Sequence, residues 1–232
     1  MPSSCIPIDR QPLLPLWQRI FDLVIAGIAV IVLAPIMALV ATLIATRMGV
    51  PVLFRQRRPG LLGAPFTMVK FRTMRNVAYS ASDTSPDAGR ITALGAFLRT
   101  TSLDELPELF CVLRGDMSLV GPRPLLAEYL PYYTEREMTR HLVRPGLTGL
   151  AQLAGRNSLA WESRLRLDVE FVERLSPALY FSIIWRTLLH LIRPRGIAVD
   201  SYAAVLPLHV ERSHFPRKPV TACSQTTKPF GP

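Results

Sequence analysis

The chain has 232 residues, with 27 Lys or Arg against 17 Asp or Glu and a formal net charge of +10 at neutral pH. This length suits one ordinary domain with an appendage, and the cationic surplus points to an anionic partner such as a phosphate-bearing substrate, acidic lipid or nucleic acid. The three cysteines, Cys5, Cys111 and Cys223, are far apart and odd in number, which excludes a disulfide framework and cysteine metal spacing and reads as free thiols in a reducing compartment.

A mean hydropathy of +0.25 is high for so charged a chain, and the N-terminal segment accounts for it. From Ile20 to Thr46 the chain reads IFDLVIAGIAVIVLAPIMALVATLIAT, with Asp22 its only charge. The run exceeds the ~20 residues that a bilayer core requires and the apolar stretch of a secretory signal. One reading is a straight spanning helix. The other is a re-entrant segment that enters and leaves on one face. Pro35 near its middle, Asp22 close to Arg19, and arginines on both flanks (Arg10 and Arg19 before; Arg47, Arg55, Arg57 and Arg58 after) suit the second. The residues alone leave both open.

Next, VPVLFRQRRPG and APFTMVKFRTM read as two short strands joined near PGLLG. They carry a dense basic cluster: Arg55, Arg57, Arg58, Lys70, Arg72 and Arg75. Asn76 to Gly89 reads as a surface loop. ITALGAFLRTTSLDELPELFCVLRG predicts helix, turn, helix, and DMSLVGPRPL an extended, rigid connection. LLAEYLPYYTEREMTRHLV is helical in parts, interrupted at Pro131, and RPGLTGLAQLAGR reads as a loop near a basic site. LAWESRLRLDVEFVERL has the clearest helical periodicity, Trp161, Leu165, Val172 and Leu175. Asp168 falls on that apolar stripe, where it needs a buried arginine partner or a role in the site. PALYFSIIWRTLLHLI is too short to span and carries Arg186. Tyr180, Trp185 and Arg186 suit a helix in the headgroup layer, and a buried core helix fits as well. Beyond Asp200 the proline-rich chain has little to bury and reads as disordered. No internal repeat is present.

The stretch SLDELPEL, Ser102 to Leu109, sets adjacent carboxylates in this basic chain. Its first four residues fit a capping box, with Ser102 as cap and Glu105 reaching back. Pro107 counts against that, because its missing N–H would already be needed there; a helix starting near Pro107 leaves Asp104 and Glu105 uncommitted. A carboxylate can attack phosphorus if cations neutralise the phosphates. Arg99 and Arg123 are the candidates for a phosphate clamp. Local rules leave cap and catalyst both standing.

Taken together, RIFDLVIAGIAVIVLAPIMALVA, KFRTM, SLDELP, GDMSLVGPRP and RPGLTGLAQLAGRNSLAWESRLRLDVEFV, in this order from about Trp17 to Ile192, resemble the bacterial sugar transferases. These are the monotopic polyprenyl-phosphate phosphoglycosyl transferases, and the chain resembles their small form. The resemblance implies an α+β, mostly helical fold: a re-entrant membrane helix broken at Pro35, a small β-hairpin, and a cytosolic helical catalytic domain with interfacial amphipathic helices. The implied boundaries are 1–48 for the membrane segment, 49–199 for the catalytic domain and 200–232 for the tail. The implied reaction moves a sugar-1-phosphate from a UDP-sugar to polyprenyl phosphate through an aspartyl-phosphosugar intermediate, releasing UMP with Mg²⁺ as cofactor. Carried over, Asp104 is the nucleophile. Glu105 assists as metal ligand or proton acceptor, so that both acids would hold the metal. Arg99 and Arg123 bind phosphate, and Lys70, Arg72, Arg144 and Arg156 are further phosphate-binding candidates. Asp168 matches a family Asp. The implied location is the cytoplasmic face of the bacterial inner membrane, with the lipid bilayer as partner, no nucleic acid, and room for a homodimer. Three residues depart from the common pattern: Ala34 for the Ser before the proline, Glu108 for a Gln, and Cys111 for an Asn.

Two other readings make different demands. A membrane-anchored binding module would bind anions in a strongly salt-dependent way without sugar specificity. A glycosyltransferase attacking the sugar carbon would release UDP rather than UMP.

Overall fold

The computed structural model describes residues 11–75, 90–155, 159–192 and 207–212. The polar loop at 76–89, Arg156 and the tail sequence RKPVTACSQTTKPFGP lie outside the described residues. The chain is mostly helical. Helix α1 (Leu16–Met48) is followed by the hairpin β1 (Leu53–Pro59) and β2 (Pro65–Phe71), then α2 (Ala93–Thr100) and α3 (Glu108–Arg114). After these come β3 (Ser118–Val120), 3₁₀ turns flanking the short α4 (Glu135–Met138), β4 (Gly146–Thr148) and α5 (Leu150–Ala154). The longer α6 (Trp161–Glu173) and α7 (Pro177–Ile192) and the short α8 (Leu208–Glu211) complete it.

The expected hairpin forms, antiparallel from Leu53 opposite Phe71 to Pro59 opposite Pro65. The expected helix–turn–helix is α2 and α3. The segment RPGLTGLAQLAG, read as a loop, instead supplies β4, which pairs in parallel with β3, and then α5. Its glycines are there for close packing rather than for looseness. A Cβ on Gly146 would lie 2.0 Å from the backbone N of Gly121, and one on Gly149 2.4 Å from the Gly121 carbonyl oxygen.

Helix α1 runs without interruption through Pro35, so the expected break is not seen. Pro35 removes one backbone hydrogen bond, to Ile31, and both residues lie on the exposed face, where one lost bond does not end a long helix. At 33 residues the helix is ~50 Å long, yet both ends are tied to the same domain. Near its start, Gln18 donates to Ser118 Oγ (2.9 Å) and Arg19 to the carbonyls of Val112 (2.6 Å) and Leu113 (2.8 Å). Asp22 Oδ1 accepts from Ser118 Oγ, the Leu119 amide and the Tyr180 hydroxyl, at 2.8–3.0 Å. This answers why an apolar helix carries a carboxylate: Asp22 is buried and hydrogen-bonded, as a buried polar group must be. At the other end, Val40 and Ile44 pack with Phe71 and Leu98, and the Arg72 guanidinium donates to the Met48 and Gly49 carbonyls.

The main core joins α1, α3, β3, α6 and α7 around Val112, Met117, Val120, Phe171 and Ile183. Opposite it, the outward face of α1 is apolar and exposed from Leu16 through Ile28, Ile31 and Ile36 to Leu43. It continues onto α7 through an edge-on contact of Phe21 with Phe181, ring centroids 4.8 Å apart, towards Trp185, Leu188 and Leu189. The helix α7 is therefore core on one side, at Tyr180 and Ile183, and exposed and apolar on the other.

Candidate active site

The site is assembled from four consecutive pieces of chain. Strand β2 delivers Lys70, and the chain then reaches Thr73. Helix α2 crosses so close to Thr73 that a Cβ on Gly95 would lie 1.9 Å from the Thr73 carbonyl oxygen. One turn later Arg99 donates from Nε to Thr73 Oγ1 (3.0 Å). Ser102 then adopts a left-handed conformation (φ 57°) and makes no side-chain cap bond. The capping-box reading is therefore replaced by a sharp turn that leads through Leu103–Glu105 into α3, with Pro107 at its N-cap. Arg123 arrives from the extended segment after β3.

The turn separates the two acids. Asp104 lines a cleft of about 630 Å³ together with Lys70, Arg72, Arg99, Glu108 and Arg123. Among the described residues its carboxylate has no hydrogen-bond or ion-pair partner. Glu105 instead holds two cations. Its Oε1 accepts from Lys70 Nζ at 2.7 Å and from Arg123 Nη2 at 2.5 Å. Lys70 also lies 3.1 Å from Glu108.

This asymmetry sets the acidities apart. Burial, then the neighbouring Glu105 charge, pushes the Asp104 carboxyl up to about 6, against the pull of Lys70, Arg123 and Arg99. Burial acts the same way on Glu105, but Arg123 and Lys70 outweigh it and hold that carboxyl well below the usual range. Glu108 is pushed up to about 7 by burial, with the Glu105 charge adding to it and Lys70 opposing. Burial and the nearby Arg123 also lower the Arg58 guanidinium to about 10. The cleft thus has more positive charge than its acids absorb, a field suited to an anion such as a diphosphate.

Of the residues predicted from sequence, the structure brings together Asp104, Glu105, Lys70, Arg99 and Arg123. Arg72 borders the cleft, but its guanidinium caps the end of α1. Arg144 donates to the Gly115 carbonyl (2.8 Å), beside Arg19 at the C-terminus of α3, the end away from the two acids. Asp168 finds the buried partner its position required: Arg140, at 2.9 Å and 3.1 Å. Arg140 in turn donates to the Arg123 carbonyl (2.6 Å) and so fixes the backbone of a cleft residue. Sequence reasoning did not place Arg58 or Glu108 in the site, nor Tyr129, Trp161, Arg164 and Pro207, which also line the cleft. Arg164 stacks over the Trp161 ring, 4.3 Å from its centroid. The one available signal was the basic hairpin, whose alternation puts Arg58 on the same side of β1 as Gln56 and Phe54.

A bivalent hard cation takes oxygen ligands, usually one or two carboxylates plus substrate phosphates. Asp104, facing the cleft without a cation of its own, fits that requirement; Glu105, occupied by Lys70 and Arg123, offers less. Among the described residues no three acids, histidines or cysteines form a ready-made cage.

A profile of the bacterial sugar transferase family matches residues 14–194. The chain is 44% identical over 180 residues to a Bacillus subtilis protein named uncharacterized sugar transferase EpsL, covering 78% of this chain and 89% of that one. It is 38% identical over 186 residues to a UDP-glucose:undecaprenyl-phosphate glucose-1-phosphate transferase of Caulobacter vibrioides, covering 76% of this chain and 67% of that one. It is 33% identical over 203 residues to the exopolysaccharide production protein ExoY of Rhizobium meliloti, covering 80% and 90%.

Proposed function

The chain belongs to the bacterial sugar transferase family, and from that premise we propose that it transfers a sugar-1-phosphate from a UDP-sugar to undecaprenyl phosphate through a covalent phosphosugar on Asp104. The observation that carries this reading is the Asp104 carboxylate, without a hydrogen-bond or ion-pair partner among the described residues, in a cation-lined cleft. An Asp104 oxygen forms a bond to the sugar-bearing phosphorus. The bond from that phosphorus to the bridging oxygen breaks, and UMP leaves. An oxygen of the acceptor phosphate then bonds to the same phosphorus, returning the Asp104 carboxylate and yielding polyprenyl-diphosphosugar.

Each side chain has a part in this. An Asp104 carboxyl at about 6 is mostly ionised at neutral pH yet more nucleophilic than an ordinary carboxylate. Lys70, Arg123 and Arg99 offset the diphosphate charge, and Glu105 fixes the first two where they can do so. Mg²⁺, held by Asp104 with the substrate oxygens, would add further neutralisation of that charge.

The lipid acceptor calls for a membrane. We read the apolar outer faces of α1 and α7 as the bilayer-facing surface, on the cytoplasmic side of the inner membrane. A helix ~50 Å long and tied at both ends to one domain suits a segment that stays on one side of the bilayer better than one that crosses it. Replacing Asp104 with Asn tests the chemistry. UMP release from UDP-glucose and other UDP-sugars should disappear, and mass spectrometry of the wild type should find a phosphosugar on Asp104. Full UMP release by the variant, or UDP as the product, overturns the reading.

A further inference from the structure

The tail expected to be disordered is in part a piece of the cleft. Residues 207–212 lie beyond the matched family range, which ends at 194, so the family pattern does not account for them. Three observations fix this segment to the domain. Leu208 is fully buried, in a cluster with Leu125, Tyr129, Trp161 and Leu165. Arg212 grips Glu137 with two parallel bonds of 2.7 Å and donates to the Tyr132 carbonyl at 3.0 Å. Glu137 is itself fixed, because it closes the capping box of α4 by accepting from the Thr134 amide at 2.7 Å. A fully buried leucine and a bidentate arginine pair are a hydrophobic plug and a directional latch, a combination that an unordered tail does not form.

What the latch holds in place is Pro207. It is exposed, and it borders the same cleft as Asp104, next to Tyr129, Trp161 and Arg164. We propose that residues 207–212 are a wall of the donor cleft that contacts the nucleoside or the sugar of the donor, with Pro207 as the contact and Leu208 and Arg212 as positioning residues. Pro207 offers neither charge nor nucleophile, so the wall acts on binding and not on phosphorus chemistry. The inference rests on the proposed donor reading of the cleft.

The test uses the full chain in membranes and three variants: Arg212→Ala, which opens the latch; Leu208→Ala, which shrinks the plug; and Pro207→Trp, which alters only the exposed contact. Steady-state UMP release is measured over a panel of UDP-sugars, with UMP affinity and melting temperature alongside. The expected result is a change in donor KM of about tenfold with kcat and the KM for polyprenyl phosphate nearly unchanged, the pattern of lost uniform binding. A parallel loss of UMP affinity assigns the contact to the nucleoside. A KM change that depends on the sugar while UMP affinity holds assigns it to the sugar. Because Pro207→Trp leaves the buried anchor intact, its result stands even if the other two variants fold poorly. Wild-type donor KM in Pro207→Trp overturns the wall while leaving the transferase reading intact. If the wild type releases no UMP from any UDP-sugar, the transferase reading falls and the wall falls with it.

Discussion

Two carboxylate–cation clusters lie within one domain and are built on opposite principles. Arg140 and Asp168 form a matched pair with side chains only 2% and 3% exposed. The remaining Arg140 bonds go to the Arg123 carbonyl and the Tyr133 hydroxyl, so the pair is complete. In the cleft, Glu105, Lys70 and Arg123 have side chains 20%, 15% and 35% exposed, and there two cations share one carboxylate oxygen. Beside them Asp104 is left over, buried and pushed towards neutrality. A sealed one-to-one pair can only hold structure together. An open cluster with an acid and positive charge in surplus can accept a substrate. The two are linked, because Arg140 also holds the Arg123 backbone.

The largest effect should come from the surplus acid. Asp104→Asn should lower UMP release by at least about 10³-fold, as expected for loss of a nucleophile. Next is the sealed pair. Asp168→Asn leaves Arg140 buried without its counter-charge and should cost about 3–5 kcal/mol of stability, read by chemical denaturation. Replacing both members with apolar residues should recover most of that stability while activity stays low, since Arg123 loses its backbone anchor. A fully active double variant would break the link between the clusters.

Asp104 also sharpens the contrast through stability. Its folded carboxyl, at about 6, lies above its unfolded value. The folded state therefore binds more protons between the two, and stability falls as pH rises through that window. Without Mg²⁺, Asp104→Asn should melt above the wild type at pH 8, by up to about 3 kcal/mol, and the advantage should vanish by pH 4. A variant less stable than wild type at pH 8 contradicts the burial argument. Gly95→Ala should cost about 1–3 kcal/mol, because backbone stands where its methyl would go. Residual activity should fall further than stability does, because Arg99 is placed by the same contact. The smallest effect is a shift. Glu105→Gln removes a charge that raises Asp104, so the acidic limb of the pH–rate profile should move to lower pH.

Much of this was legible in the sequence. The apolar run, the hairpin, the helices α2, α3, α6 and α7, and a helix start at Pro107 follow from local periodicity and turn chemistry. Asp168 was legible as a problem, a charge on an apolar stripe, but its solution 28 residues away was not. Neither was the docked helix α8. Proline-rich surroundings hid Leu208, whose burial depends on a pocket made by Trp161, Tyr129 and Leu165. The segment 145–155 misled because its glycines look like loop residues, whereas close packing of Gly121, Gly146 and Gly149 demands them.

By itself the sequence determined the family, the acidic dyad and the excess of cations around it, since these are carried by residue type and short-range spacing. Only the tertiary structure decided which acid faces the cleft and which cations serve it. Arg99, Arg123 and Lys70 converge there; Arg72 and Arg144 are drawn off to carbonyls at the ends of helices. The reason is physical: each buried cation must satisfy its charge with whatever oxygen the fold brings near, and that oxygen is set by contacts between residues far apart in the chain.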